Sequence, residues 1–158
     1  MTVITVNSLK GRLSLEERRV LAGTLTDAVL VPEVGQFAPP ARAGFQVHFV
    51  EREPDMMAIG GRLVADAGQD LDVMVIDVAV MDGDWRQEVR TQVIERLLAA
   101  LAEACGLPAP SPAWWVNFRV IDEGSWGSSG GVLSVLSLLG SGVFTEEKIK
   151  AIRTALGA

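Results

Sequence analysis

The sequence predicts an α+β fold, in which two tandem β-α-β units form one four-stranded sheet with both main helices on one face. Three observations lead to this prediction. A strand, a capped helix and a second strand occur twice in the same order, each unit carries a proline-rich loop and a Gly-Gly turn, and an offset of about 69 to 70 residues aligns them. We expect a single domain, residues 1–158, that contains the two units 2–70 and 71–143. One or more short strands at the end of the second unit and a C-terminal helix within 144–158 complete it.

The first unit begins with a β-branched segment, Thr2–Asn7, which predicts a strand. Ser14 and Glu17 form the S-x-x-E pattern of a capping box, so a helix is expected to begin at Leu15. We expect this helix to end near Leu30, because a proline follows two residues later.

Alternating apolar and polar residues over Gly44–Glu51 predict the second strand. The alternation puts Phe45, Val47 and Phe49 on one face and Gln46, His48 and Val50 on the other. The segment "EPDMMAIGGRLV" then predicts a turn and a short hairpin.

The second unit repeats this order. Asp72–Val80 is predicted as a strand, and Asp84 with Gln87 gives another capping-box pattern ahead of a long amphipathic helix, Trp85–Ala104. Trp114–Asp122 is the next predicted strand, and "EGSWGSSGG" is the turn that follows it.

A tail follows the repeat. The segment "VLSVLSLLGSG" predicts a short strand or strand pair. Phe144, Thr145 and Ile149 suit a hydrophobic staple around an N-cap, so "TEEKIKAIRTALG" predicts a third helix.

The strand pattern also predicts an oligomer. Crossover connections are right-handed and make the two strands within each unit parallel. In "DVMVIDVAV" both faces of the strand are largely apolar, which indicates burial on both faces. The helices cover one face, and the simplest cover for the other is a second copy of the chain, so we expect a homo-oligomer.

Composition narrows the classes of function. The formal net charge of −6 argues against a sequence-independent nucleic-acid binder, which needs a basic face, but leaves room for a local basic pocket that binds a small anion. No apolar run is long enough to span a bilayer, and no signal-type segment begins the sequence, so we expect a cytoplasmic protein without a membrane partner. The single histidine, His48, and the single cysteine, Cys105, argue against a metal site, and nothing indicates a cofactor.

Several segments carry a family resemblance. "TVITVNSLKGRLSLEERRVLAGTLTDAV" and "FQVHFVEREPDMMAIGGRL" resemble the two ends of the β-α-β motif of the tautomerase superfamily, the 4-oxalocrotonate tautomerase-like proteins. "WVNFRVIDEGSWGSSGG" resembles the end of that motif again in the second unit. The resemblance covers roughly residues 2–131, and two fused units look like the long-chain members, which form trimers. It therefore implies a homotrimer.

The resemblance implies a catalytic position at the start of the chain. In the family an N-terminal proline, exposed by loss of the initiator methionine, acts as a general base or acid. Here that position is Thr2. Removal of Met1 would expose a primary amine with a reference pKa of about 7.7–8.0, whereas retention of Met1 leaves the Thr2 nitrogen in an amide. His48 is a second candidate for proton transfer, the alternative being a packing residue on its strand.

Three residues of the first unit match substrate-binding positions of the family. Arg12 stands where an arginine holds a substrate carboxylate, a role that suits its planar fork of donors, while the alternative is a solvated arginine at a turn. Gln46 replaces another family arginine and can donate a hydrogen bond without a charge. Met57 stands where an aromatic residue lines the pocket.

In the second unit, Trp115 and Trp126 occupy the places of Gln46 and Met57. Trp126 is predicted to form an apolar wall, either of a pocket or of a subunit contact. The run "SWGSSGG" contains no lysine and does not open a helix, so it is not a phosphate-binding loop. Arg119 either binds an anion or pairs with a neighbouring acidic residue of the following turn.

Two functions follow as hypotheses. The first is an isomerase-like enzyme that tautomerises a small keto or enol carboxylic acid, or catalyses a related hydration or decarboxylation. It would use the N-terminal amine or His48 as base, Arg12 as anchor and Trp126 as wall. The second is a non-catalytic, oligomeric small-molecule-binding or scaffold protein that keeps the fold without the catalytic proline. A larger substrate, handled by other residues, is a further alternative.

Overall fold

The computed structural model describes residues 1–68 and 71–158. The predicted end of the first unit, residue 70, lies outside these residues. The first unit consists of β1 (Thr2–Leu9), α1 (Leu15–Val34), β2 (Phe45–Arg52), β3 (Ala58–Ile59) and β4 (Arg62–Leu63). The second consists of β5 (Met74–Met81), α2 (Gln87–Ala104), β6 (Trp114–Ile121), β7 (Gly127–Ser128) and β8 (Gly131–Val132), and α3 (Val135–Leu138) and α4 (Glu146–Leu156) follow.

The main sheet has the strand order β2-β1-β5-β6. The strands are parallel within each unit and antiparallel where β1 meets β5, so an approximate two-fold axis relates the two units. Thr2 pairs with Phe45, and Met74 pairs with Trp114. The first strands of the two units, β1 and β5, are therefore offset by 74 − 2 = 72 residues, which makes Met74 the equivalent of Thr2. The second strands, β2 and β6, keep the predicted offset, because 114 − 45 = 69.

Both long helices pack on one face of the sheet and on each other. The main core lies between them and the two central strands, and its fully buried residues include Ile4, Val6, Leu21, Leu25, Ile76, Val93 and Leu97. The predicted α+β fold, with two main helices on one face of a four-stranded sheet, is confirmed.

The opposite face of the sheet is open in the single chain. Two rows of neighbouring residues cross it, namely His48, Thr5, Asp77 and Asn117, and Gln46, Val3, Ala79 and Arg119. The outer members of both rows are exposed. This face is more polar than the pattern of the central strand suggested, and the homo-oligomer remains a prediction.

Helix α1 runs past its predicted end near Leu30 and contains Pro32. Proline cannot donate to the carbonyl four residues earlier, which favours an earlier end. However, Pro32 and Val34 are buried, and Val34 packs in a second apolar cluster. The helix stops at Gly35, which has the left-handed conformation of a C-cap, φ 84°, and its N–H donates to the Val31 carbonyl.

Helix α2 begins at Gln87, two residues later than predicted, and Asp84 does not cap it. The Asp84 carboxylate is buried and instead pairs with Lys148 of α4, at 2.9 Å, and with Arg86, at 3.5 Å. Trp85 is buried, and its indole N–H donates to the Met81 carbonyl at 2.7 Å. The sequence pattern assigned the Asp84 side chain to the cap of α2. This prediction was wrong, because the side chain forms a buried ion pair instead.

The C-terminal segment covers one end of the sheet. Val135–Leu138 is a helical turn and not the predicted strand, because the Ser134 hydroxyl accepts from the Leu136 N–H and caps it. Thr145 caps α4 as predicted. A second apolar cluster joins this segment to the end of α1, and it includes Leu30, Val34, Met81, Leu139, Phe144 and Ile152.

Candidate functional site

The internal repeat produces two related pockets, one at the start of each central strand. The first, called the N-terminal pocket, has a volume of about 230 Å³ and lies between the start of β1, the start of β2 and the β7 turn. It is lined by Met1, Thr2, Val3, Ala43, Gly44, Gln46, Trp126, Gly127 and Ser128. Three predicted site residues from distant parts of the sequence, Thr2, Gln46 and Trp126, therefore meet here.

Hydrogen bonding extends the N-terminal pocket along β2. Gln46 Oε1 lies 3.0 Å from His48 Nε2, so His48 reaches the pocket through Gln46. The Thr2 side chain is buried, and its hydroxyl has no hydrogen-bond partner within residues 1–68 and 71–158. Met1 packs against Gly44, where an added Cβ would stand 3.0 Å from the Met1 sulfur. Met1 therefore forms part of the wall of this pocket.

The second pocket, called the central pocket, has a volume of about 330 Å³ and lies at the start of β5. Its lining residues are Asn7, Arg52, Met56, Met57, Ala58, Ile59, Val73, Val75, Asp77, Ala113 and Trp115. It brings together Met57 and Trp115, two further predicted site residues. The Trp115 indole is 58% exposed, so its ring is available as a flat apolar surface.

A chain of polar side chains forms the floor of the central pocket. Arg52 donates to Asn7 Oδ1 at 3.1 Å, Asn7 donates to Asp77 at 3.3 Å, and Asn117 donates to Asp77 at 3.0 Å. Sequence reasoning missed Arg52 and Asn7 as site residues. Continuing the alternation of β2 by one residue would have placed Arg52 on the face of Gln46 and His48.

Arg12 is not near the N-terminal pocket. It follows the far end of β1, and Thr2 and Leu9 alone stand roughly 23 Å apart at about 3.3 Å per residue. Two hydrogen bonds of 2.8 Å join its guanidinium to Asp72, and these hold the pKa of Arg12 above its ordinary value. Its guanidinium also lies 5.9 Å from the centre of the Trp114 ring. Arg12 thus ties the two units together within one chain.

Arg119 lies on the open face, two strands away from Val3 in the same row. The predicted pairing with an acidic neighbour is not seen in the described ranges: Glu123 instead accepts from the Val135 N–H, at 3.2 Å. Within the same ranges, no group of three histidine, cysteine or acidic residues is placed to hold a metal ion. No helix among these residues combines the length and apolarity needed to cross a membrane.

The fold consists of two fused β-α-β units, with a pocket at the start of the central strand of each unit. No protein-family model and no curated protein sequence matches the chain. Solved structures do match. N1, a member of the cis-3-chloroacrylic acid dehalogenase family, has a TM-score of 0.67 at 20% identity over 94% of this chain and 98% of its own.

Two further solved structures are similar in the same way. Q0 fused 4-OT, described as a symmetric trimer, has a TM-score of 0.67 at 19% identity, over 87% of this chain and 98% of its own. Pt0534, described as inactivated by 2-oxo-3-pentynoate, has a TM-score of 0.66 at 20% identity, over 87% and 98%. The chain therefore has the fold of tautomerase-superfamily proteins of the fused type.

Proposed function

We propose that this chain is a tautomerase-superfamily protein whose N-terminal pocket acts on a small keto or enol carboxylic acid. The observation that carries the proposal is the meeting of Thr2, Gln46 and Trp126 in one pocket. The resemblance assigns these positions to the catalytic group, a polar anchor and the apolar wall. A protein of the same fold is described as inactivated by 2-oxo-3-pentynoate, an acid of this class.

The pocket offers groups for binding and for proton transfer. The Trp126 ring supplies an apolar wall for the part of the acid that lies in this pocket. When His48 donates to Gln46 Oε1, the Gln46 amide N–H₂ is left to donate to a ligand carboxylate or carbonyl. The base would be the N-terminal amine, carried by Thr2 if Met1 is removed, or His48 acting next to Gln46.

The test is ketonisation of phenylenolpyruvate, which is measured through the loss of ultraviolet absorbance of the enol. We expect turnover by the native protein and a loss of about a hundredfold in kcat/KM for Trp126→Ala, because the wall that orients the acid is gone. Met57→Ala is the matched control, since it removes the positional equivalent of Trp126 from the central pocket and is expected to keep most of the activity. Intact mass of the same samples shows whether Met1 or Thr2 carries the amine.

A specific observation favours the alternative, a non-catalytic small-molecule-binding protein. Among the residues that the structure describes, no arginine or lysine lines the N-terminal pocket, and Asp72 already holds the guanidinium of Arg12. This alternative predicts no turnover above the spontaneous rate, even at high protein concentration. Arg12→Ala is measured in the same assay. Loss of turnover in a folded variant would favour binding of the substrate carboxylate by Arg12. Unchanged turnover would show that Arg12 serves only to join the two units through Asp72.

We further propose a homotrimer that uses the open face of the sheet. The exposed Trp115 and the exposed edge of this face are surfaces that a second copy would cover. One protein of the same fold, Q0 fused 4-OT, is described as a symmetric trimer. Light scattering on the purified chain should give the mass of three copies of 16.9 kDa. The mass of a single copy would contradict this assembly.

A further inference from the structure

A buried carboxyl group lies in a separate apolar cavity behind Met1. This cavity, called the rear cavity, has a volume of about 200 Å³ and contains Glu33 of the last turn of α1. Its other lining residues are Met1, Leu30, Val34, Pro40, Ala41, Gly44, Phe45, Leu138, Ser141, Val143 and Phe144. It shares Met1 and Gly44 with the N-terminal pocket, so the two lie side by side.

The Glu33 carboxyl group is incompletely paired. Its side chain is 10% exposed, and Oε1 lies 3.9 Å from the Met1 nitrogen, beyond hydrogen-bond distance. Oε2 is fully buried and has no hydrogen-bond partner in the described part of the chain. The charges that face Glu33 are the Met1 amine and Lys148 of α4, and Lys148 is already bonded to Asp84 at 2.9 Å. The other residues around the cavity carry no titratable group.

This environment favours a proton on Glu33. Burial raises the pKa of Glu33 from its ordinary value of 4.5 to about 7, against the lowering effects of the Met1 amine and Lys148. A carboxyl group of this kind exists in both protonation states near neutral pH. General acid–base catalysis is most efficient with such a group.

Asp84, the other buried carboxylate of this region, has the paired environment that is typical of a structural carboxylate. Asp84 is 6% exposed at its side chain and is held by two cations, Lys148 and Arg86. Glu33 has no comparable partner among the described residues, so its burial costs stability without a compensating bond. A buried, incompletely paired carboxyl group in a cavity is typical of functional sites, so it points to a chemical role.

We propose that Glu33, in place of the N-terminal amine or His48, is the acid–base residue of this protein, exchanging a proton with a small carbonyl acid whose apolar body occupies the rear cavity. The inference rests on the proposed function. In the keto-to-enolate direction, the C–H bond next to the carbonyl breaks, its proton forms an O–H bond to the Glu33 carboxylate, and the electron pair moves onto the carbonyl oxygen. In the reverse direction Glu33 returns the proton to carbon, and no other reactant is needed.

The apolar walls explain why the ligand would be an acid with an apolar body. Leu30, Val34, Phe45 and Phe144 line the cavity beside the carboxyl group and make its walls apolar. A carbonyl acid would reach Glu33 past Met1, with its polar end in the N-terminal pocket beside Gln46. Loss of the Met1 side chain would join the two spaces, because Met1 forms the boundary that they share.

The test is hydrogen–deuterium exchange at C3 of phenylpyruvate in D₂O, followed by NMR as a function of pH. For the native protein we expect kcat/KM to rise with pH and to level off above about pH 7, because the carboxylate form takes the proton. Glu33→Gln is expected to lower kcat/KM by about a hundredfold and to remove this dependence. Glu33→Asp should retain part of the activity, and Glu103→Gln, at an exposed glutamate of α2, should match the native protein.

The outcomes separate the two proposals. An active native protein whose rate and pH profile are unchanged by Glu33→Gln overturns this inference and leaves the proposed function standing. A native protein without exchange or ketonisation overturns both. Loss of activity in Glu33→Gln, with partial activity in Glu33→Asp and a native-like Glu103→Gln, supports the inference.

Discussion

Replacing Glu33 by glutamine is expected to stabilise the protein at pH 8 by about 3 kcal/mol and to change little at about pH 4. The folded-state pKa of Glu33 is raised from 4.5 to about 7. Below pH 4.5 the Glu33 carboxyl group is protonated in both the folded and the unfolded chain, so its ionisation does not change the free energy of unfolding. Between these values the unfolded chain releases the proton while the folded chain keeps it, so native stability falls as pH rises. Glutamine stays neutral and escapes this loss.

The measurement is urea unfolding of the native protein and of Glu33→Gln across this pH range. The gap between their free energies of unfolding should open between pH 4.5 and 7 and stay constant above that range. Glu103→Gln, an exposed α2 residue, is the control and should run parallel to the native protein. If native and Glu33→Gln curves stay parallel over the whole range, the Glu33 carboxyl group ionises as readily as in an unfolded chain, and the buried-acid description is wrong.

Local signals predicted most of the fold. The Ser14 and Glu17 capping box lies within four consecutive residues, and the structure has both of its hydrogen bonds. The alternation of β2 likewise determines its two faces without reference to the rest of the chain. Because these signals occur twice, the repeat predicted the sheet and the position of both helices.

The wrong details of the fold depend on partners far away in the sequence. Asp84 has the spacing of an N-cap, but Lys148 competes for its carboxylate across the fold. Pro32 should end α1, but burial against the C-terminal segment favours one more helical turn. No local pattern contains these contacts, since each joins the repeat to the tail that follows it.

The candidate site divides in the same way. Gln46 and Trp115, and Met57 and Trp126, were paired through the 69-residue offset, and the structure distributes them over two related pockets. Glu33 was not singled out. On the sequence it is one glutamate in a helix, and only the cavity closed by the C-terminal segment makes it unusual.

The tail also breaks the two-fold likeness of the units. With the 72-residue offset of the first strands and helix starts, the equivalent of Glu33 is Cys105, as 33 + 72 = 105. Cys105 lies beside Arg12 of the other unit, and burial raises the pKa of its thiol. Glu33 instead faces Phe144 and Leu138 of the tail. One fold repeat thus supports two chemically different helix ends, of which only the first adjoins the N-terminal pocket.

Replacing Gly35 by alanine is expected to destabilise the protein by about 3 kcal/mol. Gly35 ends α1 with φ 84°, a conformation that L side chains rarely adopt. A Cβ there would stand 2.5 Å from the Thr145 hydroxyl and 2.9 Å from Lys148 Cγ. Those two residues cap α4 and neutralise Asp84, so the added methyl group would disturb the helix start and the buried ion pair together.

The same substitution at Gly23 is the matched control, since this glycine lies inside α1 and, apart from its chain neighbours and the backbone of its own helix, no described atom lies within 4 Å of an added Cβ. Alanine there is expected to stabilise the helix by up to about 1 kcal/mol, because it restricts the unfolded backbone. Urea unfolding of both variants measures the difference. A Gly35→Ala variant as stable as native would mean that the end of α1 and the start of α4 can separate without cost. The tail would then not be fixed to the repeat, and the rear cavity around Glu33 would not be a closed, water-poor space. Because helix propensity favours alanine over glycine, a loss of stability in Gly35→Ala beside a gain in Gly23→Ala cannot come from helix propensity.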